Sequence, residues 1–225
     1  MQRRAIFFLL LLHACDLPRD PGKTLEHVQH GTLRAGAVLN PPWVMADSGG
    51  VAGVEVQLVE ALAQNLRSRV SWVRGSESQL MAQLKERELD IVVGGLTVEG
   101  PWSKEVGASR PYYRDSLIVL LPDGKSGHLK GASVAFEAGD PVAVYLRKRG
   151  AHPVPAPSLE HIHGPVAGAS WKLAALGRST SGFLLHTAPH IMAVSPGENA
   201  WLLSLDRHLR EWGDSIPAML RVSAR

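Results

Sequence analysis

The residues able to do chemistry in this chain cluster at turns that follow apolar runs. "NPPW" (Asn40 to Trp43) sets an aromatic behind two prolines, whose rings fix an exposed turn. "GGLTVEGPWSKEVGASRPYY" (Gly94 to Tyr113) leaves a buried-looking strand through Gly95-Leu96-Thr97 and carries Trp102 at its centre, where packing and ligand contact compete. Glu137, Asp140 and His186 could serve acid–base chemistry. No nucleophile–base–orienter set accompanies them, and G-x-S-x-G, H-E-x-x-H, a cysteine pair and a phosphate loop are all lacking. His161, His163, His186 and His190 could chelate a transition metal, but the first two sit in a Pro/Gly-rich loop. The expectation is a binding protein with no catalytic residues, no metal and no cofactor.

Stepping out to the elements, the order is strand, helix, strand, helix, strand. "TLRAGAVL" (Thr32 to Leu39) reads as a strand closed by the "NPPW" turn. "VEVQLVEALAQNLRSR" places Val56, Val59, Leu62, Ala63 and Leu66 at helical spacing. "VSWVRG" is a strand, "SQLMAQLKEREL" a helix and "DIVVGGLTV" a continuous apolar strand of the kind buried in a parallel sheet. In such sheets ligands bind beyond the carboxyl ends of the strands, so Asn40–Trp43 and Gly95–Thr97 should line one site. Further on, "SLIVLLPDG" is β-rich, and "GASVAFEAGDPVAVYLRKRG" reads as strand, turn and helix with Asp140 at the N-cap. A "PVPAPS" segment and a glycine-rich region (Gly164, Gly168) precede the helical "WKLAALG". "GFLLH" and "HIMAVSPG" are strands, and "NAWLLSLDRHLREWGDSIPAMLR" closes the chain as helix.

The N-terminus carries a different signal. Gln2-Arg3-Arg4 precedes the apolar "AIFFLLLL", a run far below the ~20 residues that span a bilayer, so residues 1–15 read as a signal peptide. It ends in "LHAC", which resembles a bacterial lipobox with Cys15, the chain's single cysteine, as the lipidated residue and membrane anchor; an ordinary signal peptide is the alternative. An exported, periplasmic chain without disulfides must be held by its core, and 225 residues with 45% hydrophobic content suffice for one good domain or two small lobes. The formal charge of +3 is scattered rather than striped, which argues against nucleic acid.

The motif order resembles the bacterial extracellular solute-binding proteins of family 3. "LKERELDIVVGGLTVEGPWSKEVGASRPYY" carries the resemblance, with "GVEVQLVEALAQNL" and "LKGASVAFEAGDPVAVYL" in support. It implies an α/β fold, a two-lobe clamshell of the type II periplasmic-binding-protein kind, each lobe a mainly parallel sheet flanked by helices. After a tether at 16–31, residues 32–120 and 193–225 would form the first lobe and 121–192 a smaller second, with hinge strands near Leu117–Leu121 and Met192–Ser195. The implied partners are a small solute and an ABC-type permease, for a monomeric receptor. Trp43 falls on the family's aromatic at the end of the first strand, and Gly95, Leu96 and Thr97 on the segment holding the ligand's polar head. Trp102 stands where amino-acid-binding members carry an arginine for the α-carboxylate, and an indole N–H is no guanidinium fork. Glu77 falls near a second stacking aromatic, His186 or Leu185 near the aspartate for the amino group, and Asp140 on a Ser/Thr. Trp43, Trp102, Glu77 and Asp140 together suit a cationic or aromatic-stacking solute rather than a standard α-amino acid, through cation–π contacts of roughly 0.5–2 kcal/mol per ring. A sensory lobe with a degenerate pocket and a lyase on the same fold are the alternatives.

Overall fold

Two five-stranded sheets grow from these apolar runs. The computed structural model describes residues 20–102, 104–122, 129–178 and 182–223; the signal segment and Cys15 lie outside them. The chain begins with α1 (Thr24–Val28), β1 (Thr32–Ala37) and a small hairpin of β2 (Met45–Asp47) and β3 (Gly50–Ala52). Next come α2 (Val54–Asn65), β4 (Arg69–Arg74), α3 (Glu77–Lys85), β5 (Ile91–Val93) and β6 (Gly107–Ala108). The middle of the chain holds β7 (Tyr113–Leu120), β8 (Ser133–Glu137), α4 (Val142–Lys148), β9 (His152–Ala156), β10 (Val166–Ala169) and α5 (Ser170–Ala175). It ends with β11 (Phe183–His190), β12 (Ala193–Val194), α6 (Asn199–Trp212) and α7 (Ile216–Ser223).

The first sheet has the order β4-β1-β5-β12-β6 and the second β11-β7-β10-β8-β9. In each, three strands pair in parallel, one pairs antiparallel to both neighbours, and the outer one resumes the first direction. The reversed strand is the one that has just arrived from the other sheet: β7 follows β6, and β12 follows β11. The two crossings run side by side, with Ser109 N–H donating to Met192 O (2.9 Å), Met192 N–H to Ser109 Oγ (2.9 Å) and Tyr112 N–H to His190 O (3.0 Å). Residues 113–120, expected with the first lobe and its hinge, therefore belong to the second sheet, because Leu117 to Leu120 pair with β10. The sheet changes at 109–112, ahead of the expected boundary at 121.

Other differences have local causes. Part of the expected tether folds: α1 packs with Val28 fully buried, and Gly22 and Thr24 donate their N–H groups to Glu198 at 2.7 and 3.2 Å. The proline-rich "HPVPA" is a strand, β9, which the sheet edge permits because a missing N–H costs nothing on its outer side. β10, "VAGA", is buried throughout between β7 and β8, where its small side chains suit the crowded centre despite their poor β-propensity. The closing helix breaks in two at residues 213–215, and Pro217 falls in the first turn of α7, where no N–H is missed. Among the described residues no helix is long and apolar enough to cross a membrane.

Candidate functional site

The carboxyl ends of β1 and β5 bring two turns into contact. After β1, Trp43 N–H donates to Asn40 O (2.9 Å) and Asn40 N–H to Val44 O (2.9 Å), closing a tight loop. Asn40 Nδ2 then reaches across to Gly94 O at 2.9 Å, in the turn that follows β5. Gly95 has φ +68°, and a Cβ there would run into the Trp43 ring, so only glycine fits. Glu55, near the start of α2 and fully buried, accepts from Gly94 N–H (2.6 Å), from Gly95 N–H (2.8 Å) and from the Tyr112 hydroxyl. Burial pushes its carboxyl up to about 7 against those three hydrogen bonds.

Between these turns and the second sheet lies a cavity of about 360 Å³. One wall is Asn40 to Trp43, Gly95 and Thr97; the other includes Asp115, Glu137 to Pro141, Trp171, Lys172 and His190. Trp43 is 4% exposed, and its ring lies 4.1 Å from that of His190 at 31°. Asp115, on β7, accepts from the Trp171 indole N–H at 3.1 Å through Oδ2, while its Oδ1 is buried without a partner. Burial raises its carboxyl to about 6, helped by the neighbouring Asp140 and opposed by Trp171. Asp140 is also raised, chiefly by burial, although its Oδ1 accepts from Val142 N–H at 2.9 Å. The N-cap of α4 is Pro141 and not Asp140 as expected, because the helix starts one residue later, at Val142; Asp140 meets the first helical N–H from the position before the cap. Burial drives the His190 ring down to about 4, a hydrogen bond to the Gly95 backbone opposing, and leaves it neutral with Nδ1 unpartnered. Lys172 is 2.8 Å from Glu137, so the one cationic side chain among the described lining residues is already paired.

Of the residues singled out in the sequence, Trp43, Gly95, Thr97 and Asp140 line this cavity, as does Glu137. Leu96 lies in the core behind it, 4% exposed. Trp102 is in the same apolar cluster, packed with Leu80, Leu84, Val106 and Ile191, and it donates its indole N–H to Glu77. Neither Trp102 nor Glu77 is among the residues that line the cavity. His186 also lies away from it, stacked on Tyr145 (4.1 Å, 12°) and 3.4 Å from Glu99. His161 and His163 are exposed, and no cluster of three metal-ligating side chains occurs among the described residues. Sequence reasoning passed over Asp115, Trp171 and Lys172 and considered His190 only for metal. The available signal was an acid set within the apolar run "YRDSLIVLL", a costly place for a carboxylate without a task.

Two α/β sheets joined by a double crossing, with a polar cavity between them, define a two-lobed small-molecule-binding protein. The chain belongs to the bacterial extracellular solute-binding proteins, family 3, whose pattern matches residues 33–215. It is 26% identical over 106 residues to ABC transporter arginine-binding protein 1 of Escherichia coli, covering 46% of this chain and 43% of that one. It is 29% identical over 117 residues to membrane-bound lytic murein transglycosylase F of Vibrio cholerae, covering 51% of this chain and 22% of that one. The chain thus spans less than half of either relative's length. In fold it is similar to an ancestral cationic amino acid solute-binding protein, with a TM-score of 0.67 at 19% identity, covering 87% of this chain and 98% of that one.

Proposed function

We propose that this protein is an extracytoplasmic receptor that holds a small organic cation in the cavity between its lobes and passes it to an ABC-type permease. The charge inventory of the cavity carries this reading: Asp115, Asp140 and Glu137 face a single lysine, which Glu137 already engages at 2.8 Å. A ligand anion would find no free positive partner there, whereas a cation would relieve the repulsion between Asp115 and Asp140. The ligands for which two similar proteins are named, arginine for one and cationic amino acids for the other, point the same way. Ligand held by both lobes would favour the closed arrangement, the crossings at 109–112 and 191–192 being the natural place for bending.

Titration calorimetry of the purified protein with lysine, arginine, glutamine and glutamate tests the reading. Micromolar binding of the cations and none of glutamate is expected; tight glutamate or glutamine binding with no response to the cations overturns it. A second reading, a lyase, draws on Asp115 with a carboxyl near 6 beside a neutral His190. Recovery of the bound cation chemically unchanged after prolonged incubation separates receptor from enzyme.

A further inference from the structure

Two unmet hydrogen-bond positions ask for more than positive charge. Among the described residues, Asp115 Oδ1 and His190 Nδ1 are the buried side-chain atoms without a partner, and both residues line the cavity. They sit on paired strands, Ala188 opposite Asp115 and His190 opposite Tyr113. That register makes Asp115 and His190 diagonal neighbours on one face, about 7–8 Å apart at the backbone, with side chains opening into the same space. The other Asp115 oxygen is taken by Trp171, and with the proton of the neutral His190 ring on Nε2 the unpartnered Nδ1 is an acceptor, so each residue offers one. The indole of Trp43, tilted over His190 at 4.1 Å, adds a flat aromatic surface beside them. On the opposite count, Lys172 is engaged by Glu137, and Trp102 is buried away from the cavity, so among the described lining residues no free cationic group awaits a carboxylate.

We propose that the bound head group is a planar, multiply N–H-bearing cation, a guanidinium or amidinium, which donates to Asp115 Oδ1 and His190 Nδ1 together, and that the ligand needs no α-carboxylate. This rests on the reading of the cavity as a cation site and narrows it. A guanidinium presents five donors in a fixed fork, enough to reach two separate acceptors, and it stacks readily on an indole. A quaternary ammonium matches the charge and the aromatic surface but has no donor. It would leave both buried acceptors unmet, at a cost of about tenfold to a hundredfold in affinity for each. A primary ammonium falls between, with three donors from one compact point.

Calorimetry with butylguanidine, butylammonium, butyltrimethylammonium, arginine and glutamine separates these possibilities. The expected order places butylguanidine at least about tenfold tighter than butyltrimethylammonium, with arginine no more than about threefold tighter than butylguanidine. Equal or tighter binding of the quaternary amine overturns the donor requirement and leaves the cation reading standing. Arginine more than about tenfold tighter overturns the claim about the carboxylate. Glutamine binding while no cation binds overturns the cation reading itself, and silence from every cation overturns both. Two variants sharpen the test. Asp115→Asn keeps an acceptor for Trp171 and should weaken butylguanidine about a hundredfold. His190→Phe keeps the ring against Trp43, and it should weaken butylguanidine about tenfold while leaving butyltrimethylammonium within about twofold. If Asp115→Asn does not fold, the difference between the two cations in His190→Phe decides alone, and equal losses for both overturn the proposal.

Discussion

Glu55 and Asp115 are both buried carboxylates, one behind the Gly95 wall of the cavity and one in its lining, yet their oxygens are treated in opposite ways. Glu55 accepts from two backbone N–H groups and a tyrosine hydroxyl, and those donors tie α2, the turn after β5 and the crossing at Tyr112 into one unit. Asp115 accepts from one side-chain donor, the Trp171 indole, with the Ser116 backbone N–H a weaker partner, and its Oδ1 is buried without a partner of its own. Burial pushes both carboxyls up, to about 7 and about 6, so a perturbed pKa does not tell the structural acid from the binding one. The distribution of partners does. An acid whose acceptors are filled by the protein is part of the frame, and an acid with an unfilled acceptor in a cavity is set for something that comes and goes.

Replacing each acid by leucine gives the largest contrast. Glu55→Leu orphans Gly94 N–H, Gly95 N–H and the Tyr112 hydroxyl in a buried place, each at about 1–3 kcal/mol. A loss of roughly 3–5 kcal/mol is expected, about 10 °C in Tm for a chain of this size. Asp115→Leu strands only the Trp171 N–H and removes a buried charge, so its cost should stay within about 1 kcal/mol. Urea melts at constant m-value measure both, and equal losses would break the distinction.

A smaller effect separates the two acids by pH. Each is raised, so between the ordinary carboxylate range and its folded value the folded protein holds a proton that the unfolded chain has released. Stability therefore falls with rising pH, between about 4 and 6 for Asp115 and between about 4.5 and 7 for Glu55, by at most about 1.4 kcal/mol per pH unit for each. His190, lowered to about 4, has the opposite sign: its neutral buried ring adds stability as pH rises from about 4 to 6.5. The carboxyl contributions are accordingly read as differences between the wild type and Asp115→Asn or Glu55→Gln. A saturating cation should abolish the Asp115 difference and leave that of Glu55 intact. The affinity for the cation should fall as pH drops below about 6, by up to tenfold per unit. Cation-induced change in the Glu55 difference would mean that both acids meet the ligand.

The same contrast explains what the sequence could reveal. The parallel part of the first sheet was legible because its helices carry a 3.6 period and its strands short apolar runs, and Gly95 and Thr97 because turns that follow parallel strands face ligands as a matter of topology. Asp140 was legible as a residue at the start of α4, one position off its place, since Pro141 itself is the N-cap. β9 and β10 were not, since prolines and an Ala-Gly-Ala run become strands only through their places at the edge and the centre of the second sheet. Asp115 was hidden for a related reason. Its exposure to the cavity depends on the chain changing sheets at 109–112, and that change is made by pairing with β10 and β11, far along the sequence. His190 lies at the matching point of the return crossing, so it too is placed by tertiary pairing alone.

The smallest expected effect concerns the acid that the sequence did single out. Glu77 stands in the first turn of α3 and accepts from the Trp102 indole N–H, a tryptophan–carboxylate pair like that of Trp171 and Asp115 but outside the cavity. Trp102→Phe retains an aromatic among Leu80, Leu84, Val106 and Ile191 and removes the N–H with part of the ring, while the half-buried Glu77 can turn to water. The expected cost is about 1 kcal/mol of stability, from one hydrogen bond and some lost volume. Affinity for butylguanidine should stay within about twofold of the wild type, against about a hundredfold loss in Asp115→Asn. Chemically the two pairs are nearly equivalent, so a difference of that size would come from position alone: one pair lies outside the cavity, the other in its wall. A tenfold loss in Trp102→Phe would place the first pair at the ligand after all and erase the line between frame and site that Glu55 and Asp115 draw.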